Sequence, residues 1–341
     1  MNIKSFFSKV SIMISVLSLL SSQSILKAND STKINIAVEF VTHAASAHIA
    51  KSKNWYKEAG LNVKSFDSYV NGMALGAALS RGEADAAYIC LSPAINAYAN
   101  ARVPLKIVSG LHLYGYSLVV NPKKIKKVED LNNPKFNIGV VRAGSGADGM
   151  FNKMVEKYKL DRSIYKRVKR MPPAHLLLAL KNGQLDAAAM PEQYPSMAQE
   201  AGFKELVSAQ DVWPQMEGSV LIVTQELLDK NPQAVKKLVQ ITKRGINFIY
   251  SNPKEAVFIV NKHLNIEGQK LYPGHLKKKG KVKDVLTSEN SVRNSLYNKL
   301  VNTHKIDSKN VQEAIDNLAR WGYIKKSFPA SEILDLRFIN D

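Results

Sequence analysis

Four short segments hold the residue types that can grip a small molecule without consuming it: Glu39 to Thr42 with His43, Leu91-Ser92-Pro93, Gly144-Ser145-Gly146-Ala147, and Pro191-Glu192-Gln193-Tyr194. Each follows a run that reads as a strand and leads into one that reads as a helix. Loops of that kind lie beyond the carboxyl ends of the strands, where open α/β sheets take their ligands. Ser92 is expected to cap a helix whose first turn opens with Pro93. The amides of Gly144 to Ala147 at a helix start suit an anion or a carbonyl oxygen. Glu39, Thr42, Glu192 and Gln193 add polar groups, while Tyr114, Tyr116 and Trp213 offer flat apolar walls. Each has a plainer role open to it. Ser92 and Ser145 fit as simple caps, and Asp148 can satisfy the dipole of its own helix. His43 and His48 fit as surface or cap residues, Tyr114 and Tyr116 as hinge packing, and Glu192 as the partner of a lysine or a backbone group instead of a ligand amine.

Catalytic arrangements are absent. The histidines at 43, 48, 112, 175, 263, 275 and 304 have no paired helical spacing with carboxylates of the metal-site kind. No tight His-to-Glu or Ser-to-His arrangement occurs. The single cysteine, Cys90, sits between Ile89 and Leu91 and reads as a small buried hydrophobe. No catalytic residue, metal or cofactor is therefore expected.

These loops need a scaffold, and the pattern supplies one. Lys33 to Phe40 alternates as a strand. His43 to Ala59 then reads as one helix ending at Gly60, Val63 to Val70 as a strand and Asn71 to Ser80 as a helix. Ala84 to Ile89, Pro93 to Asn100 and Leu105 to Val108 continue as strand, helix and strand. A second round runs Phe136 to Val141 (strand), Gly146 to Tyr158 (helix), Tyr165 to Val168 (strand), Pro173 to Leu180 (helix), Asp186 to Met190 (strand) and Ser196 to Ala201 (helix). Tyr116 to Val120 and Val220 to Thr224 read as two crossings between the rounds. Alternating strands and helices imply parallel pairing in doubly wound sheets. Helices over Pro232 to Tyr250 and Pro253 to Leu264 and an amphipathic stretch in Ser288 to Leu318 form a helical tail. The pattern A-L-x-x-G-x-x-D-A-A occurs at Ala78 to Ala87 and again at Ala179 to Ala188, which suggests two related lobes. The fold class expected is α/β, with lobe 1 over 29–115, lobe 2 over 116–219, and a return to lobe 1 with the tail over 220–341.

The first 28 residues read as a secretory signal: Lys4 and Lys9, an apolar run from Val10 to Leu20, and a small residue, Ala28, as the cleavage point. The apolar run is too short for a membrane span, which takes about 20 residues. No cysteine lies near that point, so no lipid anchor is expected, and a periplasmic address follows. The 341 residues carry a net charge of +19, but the lysines are spread out. The densest cluster, Lys277 to Lys283, has no aromatic residues interleaved to stack bases, so no nucleic-acid partner is expected.

The run Asn54-Trp55-Tyr56-Lys57-Glu58-Ala59-Gly60-Leu61 resembles the opening of importer solute-binding proteins for nitrate, sulfonate, taurine and thiamine pyrimidines. The likeness continues with Gly82 to Asp85, Ser92-Pro93, Val103-Pro104-Leu105, Val128 to Leu131, Gly144 to Gly146, Gly183 to Ala188, Asn231-Pro232 and Asn252 to Ala256. It covers roughly residues 33 to 260. Asn132 to Lys135 replaces the family's glycine-lysine pair, and Met190-Pro191-Glu192 lacks its tryptophan. The resemblance implies a type II periplasmic-binding fold, two lobes joined by two crossing strands, a small-molecule solute in the interlobe cleft, and a monomer that delivers it to an inner-membrane ABC permease with its ATPase. Two helix starts and a basic chain favour a sulfonate- or nitrate-like anion, whereas Glu39, Asp148 and Glu192 favour an amine-bearing heterocycle. The alternatives are a biosynthetic enzyme for pyrimidine or menaquinone precursors on the same fold, or a periplasmic sensor module.

Overall fold

The computed structural model describes residues 33–272 and 286–340. The expected signal with its cleavage at Ala28, and the cluster Lys277 to Lys283, lie outside them. The strands are β1 (Lys33–Glu39), β2 (Asn62–Tyr69), β3 (Ala86–Cys90), β4 (Leu105–Tyr114), β5 (Tyr116–Val120), β6 (Ile138–Val140), β7 (Lys169–Arg170), β8 (Ala187–Pro191), β9 (Lys204–Ser208), β10 (Glu217–Thr224) and β11 (Leu300–Asn302). They form a six-stranded sheet in the order β11-β4-β10-β3-β1-β2 and a five-stranded sheet in the order β7-β6-β8-β5-β9. Strands flanked by helices on both faces bury both sides. Thus β3, β5 and β8 are buried at every position, and Ile34, Ile36 and Val38 of β1 are fully enclosed.

The helices used below are α1 (Ala45–Ser52), α2 (Gly72–Ser80), α3 (Leu91–Ala101), α4 (Gly146–Lys157), α5 (Pro173–Lys181), α6 (Tyr194–Glu200), α7 (Pro232–Ser251), α8 (Pro253–Leu271) and α9 (Ser308–Arg320). Prolines open α5, α7 and α8 at the first-turn positions where their missing N–H costs nothing. Among the described residues, no helix is long and apolar enough to cross a membrane.

Several expectations are corrected. The helix read over His43 to Ala59 is broken into a 3-10 turn at Thr42–Ala44, α1, and a short helix at Trp55–Glu58, because Asn54 takes a left-handed φ of 58°. Tyr165 to Val168 is not a strand. Ile164–Arg167 is a helical turn, pinned by the Arg167 guanidinium donating to the carbonyls of Leu131, Asn133 and Phe136. The strand begun at Leu105 runs on to Tyr114, and β9 and β11 carry too little apolar alternation to have been read. Pairing is mixed. β1 is parallel to β2 and β3, and β6 to β7 and β8, but β10 runs antiparallel to β3 and β4, and β5 antiparallel to β8 and β9. Both segments read as crossings are therefore sheet strands. The chain passes between sheets at Gly115, whose φ is 86°, and again between β9 and β10.

The repeated decapeptide folds into the same turn twice. Gly82 and Gly183 take φ of 72° and 70°, and the amides of Glu83 and Gln184 donate back to the carbonyls of Ala78 and Ala179. Asp85 then accepts the amide of Asn35 at 2.7 Å, and Asp186 accepts the amide of Asn137 at 2.8 Å, each locking the edge of its parallel pair. Nothing lies within 4 Å of a methyl added at either glycine, so only the backbone penalty remains. Gly82→Ala and Gly183→Ala should each cost about 1 kcal/mol in urea unfolding. A cost near zero at one site and not the other would contradict the equivalence of the two turns.

Candidate functional site

β1, β3, β6 and β8 all point their carboxyl ends toward the gap between the sheets, and a small cavity of about 30 Å³ lies there with walls from both. The first sheet contributes Glu39, Asn71, Gly72 and Cys90, and the second contributes Arg142, Ser145, Gly146 and Ala147, with Tyr116 at the crossing. Of the residues chosen from sequence, Glu39, Tyr116, Ser145, Gly146 and Ala147 line this space.

Glu39 ends β1 and is 3% exposed. Its Oε1 accepts the Cys90 amide at 2.5 Å and its Oε2 accepts the Cys90 thiol at 3.1 Å. Burial pushes its carboxyl up to about 7, although the two Cys90 donors pull the other way. A Cβ on Gly72 would come 2.3 Å from Glu39 Oε1, so this position must be glycine for the carboxyl to turn inward. Tyr116 is buried and donates its hydroxyl to the Gly218 carbonyl at 3.3 Å. A Cβ on Gly146 would lie 2.4 Å from that ring, which lets the start of α4 sit directly against it.

Ser145 caps α4 through Oγ, which accepts the Asp148 amide at 3.4 Å. The amides of Gly146 and Ala147 begin the helix and so have no partner within it. Asp148 is not a cleft acid. Its carboxylate pairs with Arg170 and accepts from the Gly144 amide and the Tyr323 hydroxyl.

The remaining chosen residues sit beside the cavity. The Thr42 amide donates to Gln193 Oε1 at 3.1 Å, one direct bond between the two sheets, and the Thr42 hydroxyl meets that of Ser295 at 2.6 Å. A second inter-sheet bond runs from Asn96 to the Gly144 carbonyl at 3.2 Å. His43 contacts Gly115 O through Nε2 at 3.0 Å and Ser219 Oγ through Nδ1 at 3.3 Å, with its ring 4.3 Å from that of His112. Burial and His112 hold it well below the usual imidazole range, so it is a neutral hinge residue. Ser92 is not a cap. α3 begins at Leu91 with Cys90 before it, and no side chain caps it. Tyr114 donates to Pro214 O at 2.8 Å, tying the two crossings together, and Trp213 packs edge-on against Trp321 at 6.0 Å.

Asn71, Gly72, Cys90 and Arg142 were missed. Asn71 and Arg142 lie at strand-to-helix joints like the others, so the same positional rule reaches them. Cys90 is buried as expected, but its thiol also faces the cavity.

Glu192 is fully buried outside this lining, accepts the Ser196 hydroxyl at 2.7 Å, and has Oε1 without a partner among the described residues. The backbone partner open to it is the amide of Ser196, while Lys299 acts on it only through its charge. Burial raises its carboxyl to about 7. The native state then keeps this proton while the unfolded chain releases it above about 4.5, so the contribution is present in acid and lost as pH rises to 7. Glu192→Gln should therefore gain stability relative to wild type between pH 4.5 and 7.5, by up to roughly 3 kcal/mol. Equal melting-temperature differences at both pH values would contradict an uncompensated buried acid.

The NMT1-like family model matches residues 27–261. A protein of Brucella abortus described as a binding protein is 28% identical over 253 residues, covering 72% of this chain and 74% of its own. Among solved structures, the ligand-binding component of an ABC-type import system from Staphylococcus aureus, with zinc bound, superposes with a TM-score of 0.73 at 18% identity over 91% of this chain and 99% of its own. The alkanesulfonate-binding protein SsuA from Xanthomonas axonopodis pv. citri, bound to MOPS, gives 0.71 at 15% over 89% and 98%. The nitrate-binding protein NrtA from Synechocystis PCC 6803 gives 0.69 at 15% over 92% and 88%. These structural likenesses establish the periplasmic-binding-protein fold, and the match over most of its length places the chain in the NMT1-like family.

Proposed function

We propose that this protein is the solute-binding component of an ABC importer, exported to the periplasm and free of catalytic chemistry. The observation that carries the reading is the cavity whose walls come from both sheets at their strand carboxyl ends. A solute touching both walls stabilises the arrangement in which they meet, because only there are all its contacts made. The first sheet, built from residues 33–115 and the return beginning with β10 at Glu217, is one lobe, and 116–216 is the other. They close about Gly115 and the segment before β10, and the bonds Thr42–Gln193 and Asn96–Gly144 are contacts of the closed form. The partner is a permease with its ATPase, which reads the closed monomer and receives the solute.

The binding of alkanesulfonates and nitrate by these structural neighbours supports a small polar solute as cargo. The starts of α2, α3, α4 and α5 converge on the cavity, which supports an anionic or carbonyl-bearing group. Glu39 supports a ligand that also donates hydrogen bonds, such as an amine-bearing heterocycle.

A thermal-shift screen of sulfonates, nitrate, carboxylates and pyrimidines checks this reading. A true solute at a hundredfold excess over Kd adds about 2.7 kcal/mol. Met73→Trp, which enlarges a half-buried side chain of the cavity lining into that space, should abolish that shift while the circular-dichroism spectrum stays native. A shift that survives in this variant, or chemical conversion of the solute followed by NMR, would contradict a receptor acting through this cavity.

A further inference from the structure

Positive charge and exposed apolar side chains coincide on one helical layer of the first lobe, away from the cavity. α1, α7 and α8 pack on one another there, with α7 against β4. α7 carries Lys236, Lys237, Lys243 and Arg244 and no acid, and residues 45–66 carry Lys51, Lys53, Lys57 and Lys64 against Glu58 alone. Glu58 pairs with Arg244, and both acids of α8 are taken as well, Glu255 by Lys53 and Glu267 by Lys270. Lys57, Lys64, Lys254 and Lys262 form no ion pair among the described residues. Four residues apart along the outside of α8 stand Lys254, Phe258, Lys262, Ile266 and Lys270, every one exposed, Phe258 to 54% and Ile266 to 42%. Such spacing makes one ridge of the helix. The inner side, with Ala256, Val257, Val260 and Leu264 buried, already supplies the packing of α8. Folding therefore gives no reason for a phenylalanine between two lysines on the outside.

The ridge ends beside a groove of about 490 Å³ lined by Lys51, Asn54, Lys57, Lys64, Ser65 and Phe66. Lys51 holds its ammonium 4.3 Å over the Phe66 ring, near enough to Glu267 and Lys270 for their charges to act on it. Past Tyr272 the sequence adds five lysines between 277 and 283. A purely acidic partner has no use for Phe258 and Ile266, and a purely apolar one would strip the lysines of water without return. An anionic bilayer answers both at once, with phosphates at the depth of the lysine heads and the acyl boundary just beneath. A broad layer without a shaped apolar pocket also suits a plane better than a folded partner, whose anchors need such pockets. Going beyond the receptor reading, we propose that the outer face of α8 and the adjoining groove are a peripheral docking surface for anionic phospholipid. The lysines meet headgroup phosphates, and Phe258 and Ile266 enter the interface. Contact through two apolar side chains and screened charges is reversible, so it concentrates the protein at the membrane and leaves it free to exchange.

Sedimentation of the mature protein with lipid vesicles tests this. Vesicles of phosphatidylcholine with about one-third phosphatidylglycerol should carry the protein down at low salt, and phosphatidylcholine alone should not. Salt at about 0.5 M should release it. Lys254→Glu with Lys262→Glu should weaken the binding by about tenfold or more. Phe258→Ser with Ile266→Ser should weaken it by about threefold or more at unchanged salt dependence. All four side chains are exposed, so both variants should keep the native melting temperature. Lys123→Glu with Lys166→Glu, the same charge change on exposed residues of the second lobe, should stay within about twofold of the native protein. Loss as great in that control would mean that net charge alone acts, and would overturn the assignment to α8. Equal binding to both kinds of vesicle, or to neither, overturns it too. So does displacement by millimolar inorganic phosphate at constant ionic strength, which would make the groove a site for a free anion. A lipid-free dimer in light scattering that Phe258→Ser with Ile266→Ser dissolves would make the ridge a contact between copies, and likewise overturn it.

Discussion

Glu39 leaves water at the end of β1, and among the described residues its two oxygens accept the amide and thiol of Cys90 at the end of β3. That contact links the ends of neighbouring parallel strands and turns a carboxyl toward the gap between the sheets, where no lysine or arginine of the described residues pairs with it. Ionising a carboxyl in this position is costly, and burial accordingly raises it to about 7. The surroundings of the cleft make sense around this constraint. Gly72 has no side chain because one would strike the carboxyl, and the neighbouring histidines are buried in neutral form.

The second lobe also packs its own helix closely. Gly146 allows the start of α4 to lie against the Tyr116 ring, so the helix delivers its amides to the cavity without an intervening side chain. The carboxyl-terminal part of the chain reinforces the approach from outside. α9 packs on α3, and its residues reach α4 through the ion pairs Lys153–Glu313 and Arg320–Glu156, while Tyr323 donates to Asp148. Further along the cleft, Lys299 pairs with Glu205 at 2.8 Å and Ser288 donates to Glu200 at 2.6 Å. The tail therefore spans both sheets and is part of the geometry of the site.

Local physics made much of this legible in the sequence. The alternation in β1, Ser145 as a helix cap, Pro232 and Pro253 at helix starts and the paired glycine-aspartate turns are signals carried by a few adjacent residues, and each stands in the structure as read. What the sequence hid depends on distant partners. Arg167 makes a turn out of a strand-like run by capturing three carbonyls from a loop some thirty residues earlier. β10 joins the first sheet between β3 and β4, a placement that apolar character alone cannot reveal. Glu192 and Trp213 had suitable residue types at suitable joints but face away from the cavity lining, whereas Arg142 and Cys90 line it with no motif to mark them.

The central claim is that two α/β halves close on a solute held between them. Small-angle X-ray scattering of the mature protein, stripped of solute and then saturated with a compound that stabilises it, measures this directly. The radius of gyration should fall on saturation, and it should not fall in Met73→Trp. The same radius in both states of the native protein would contradict capture by closure.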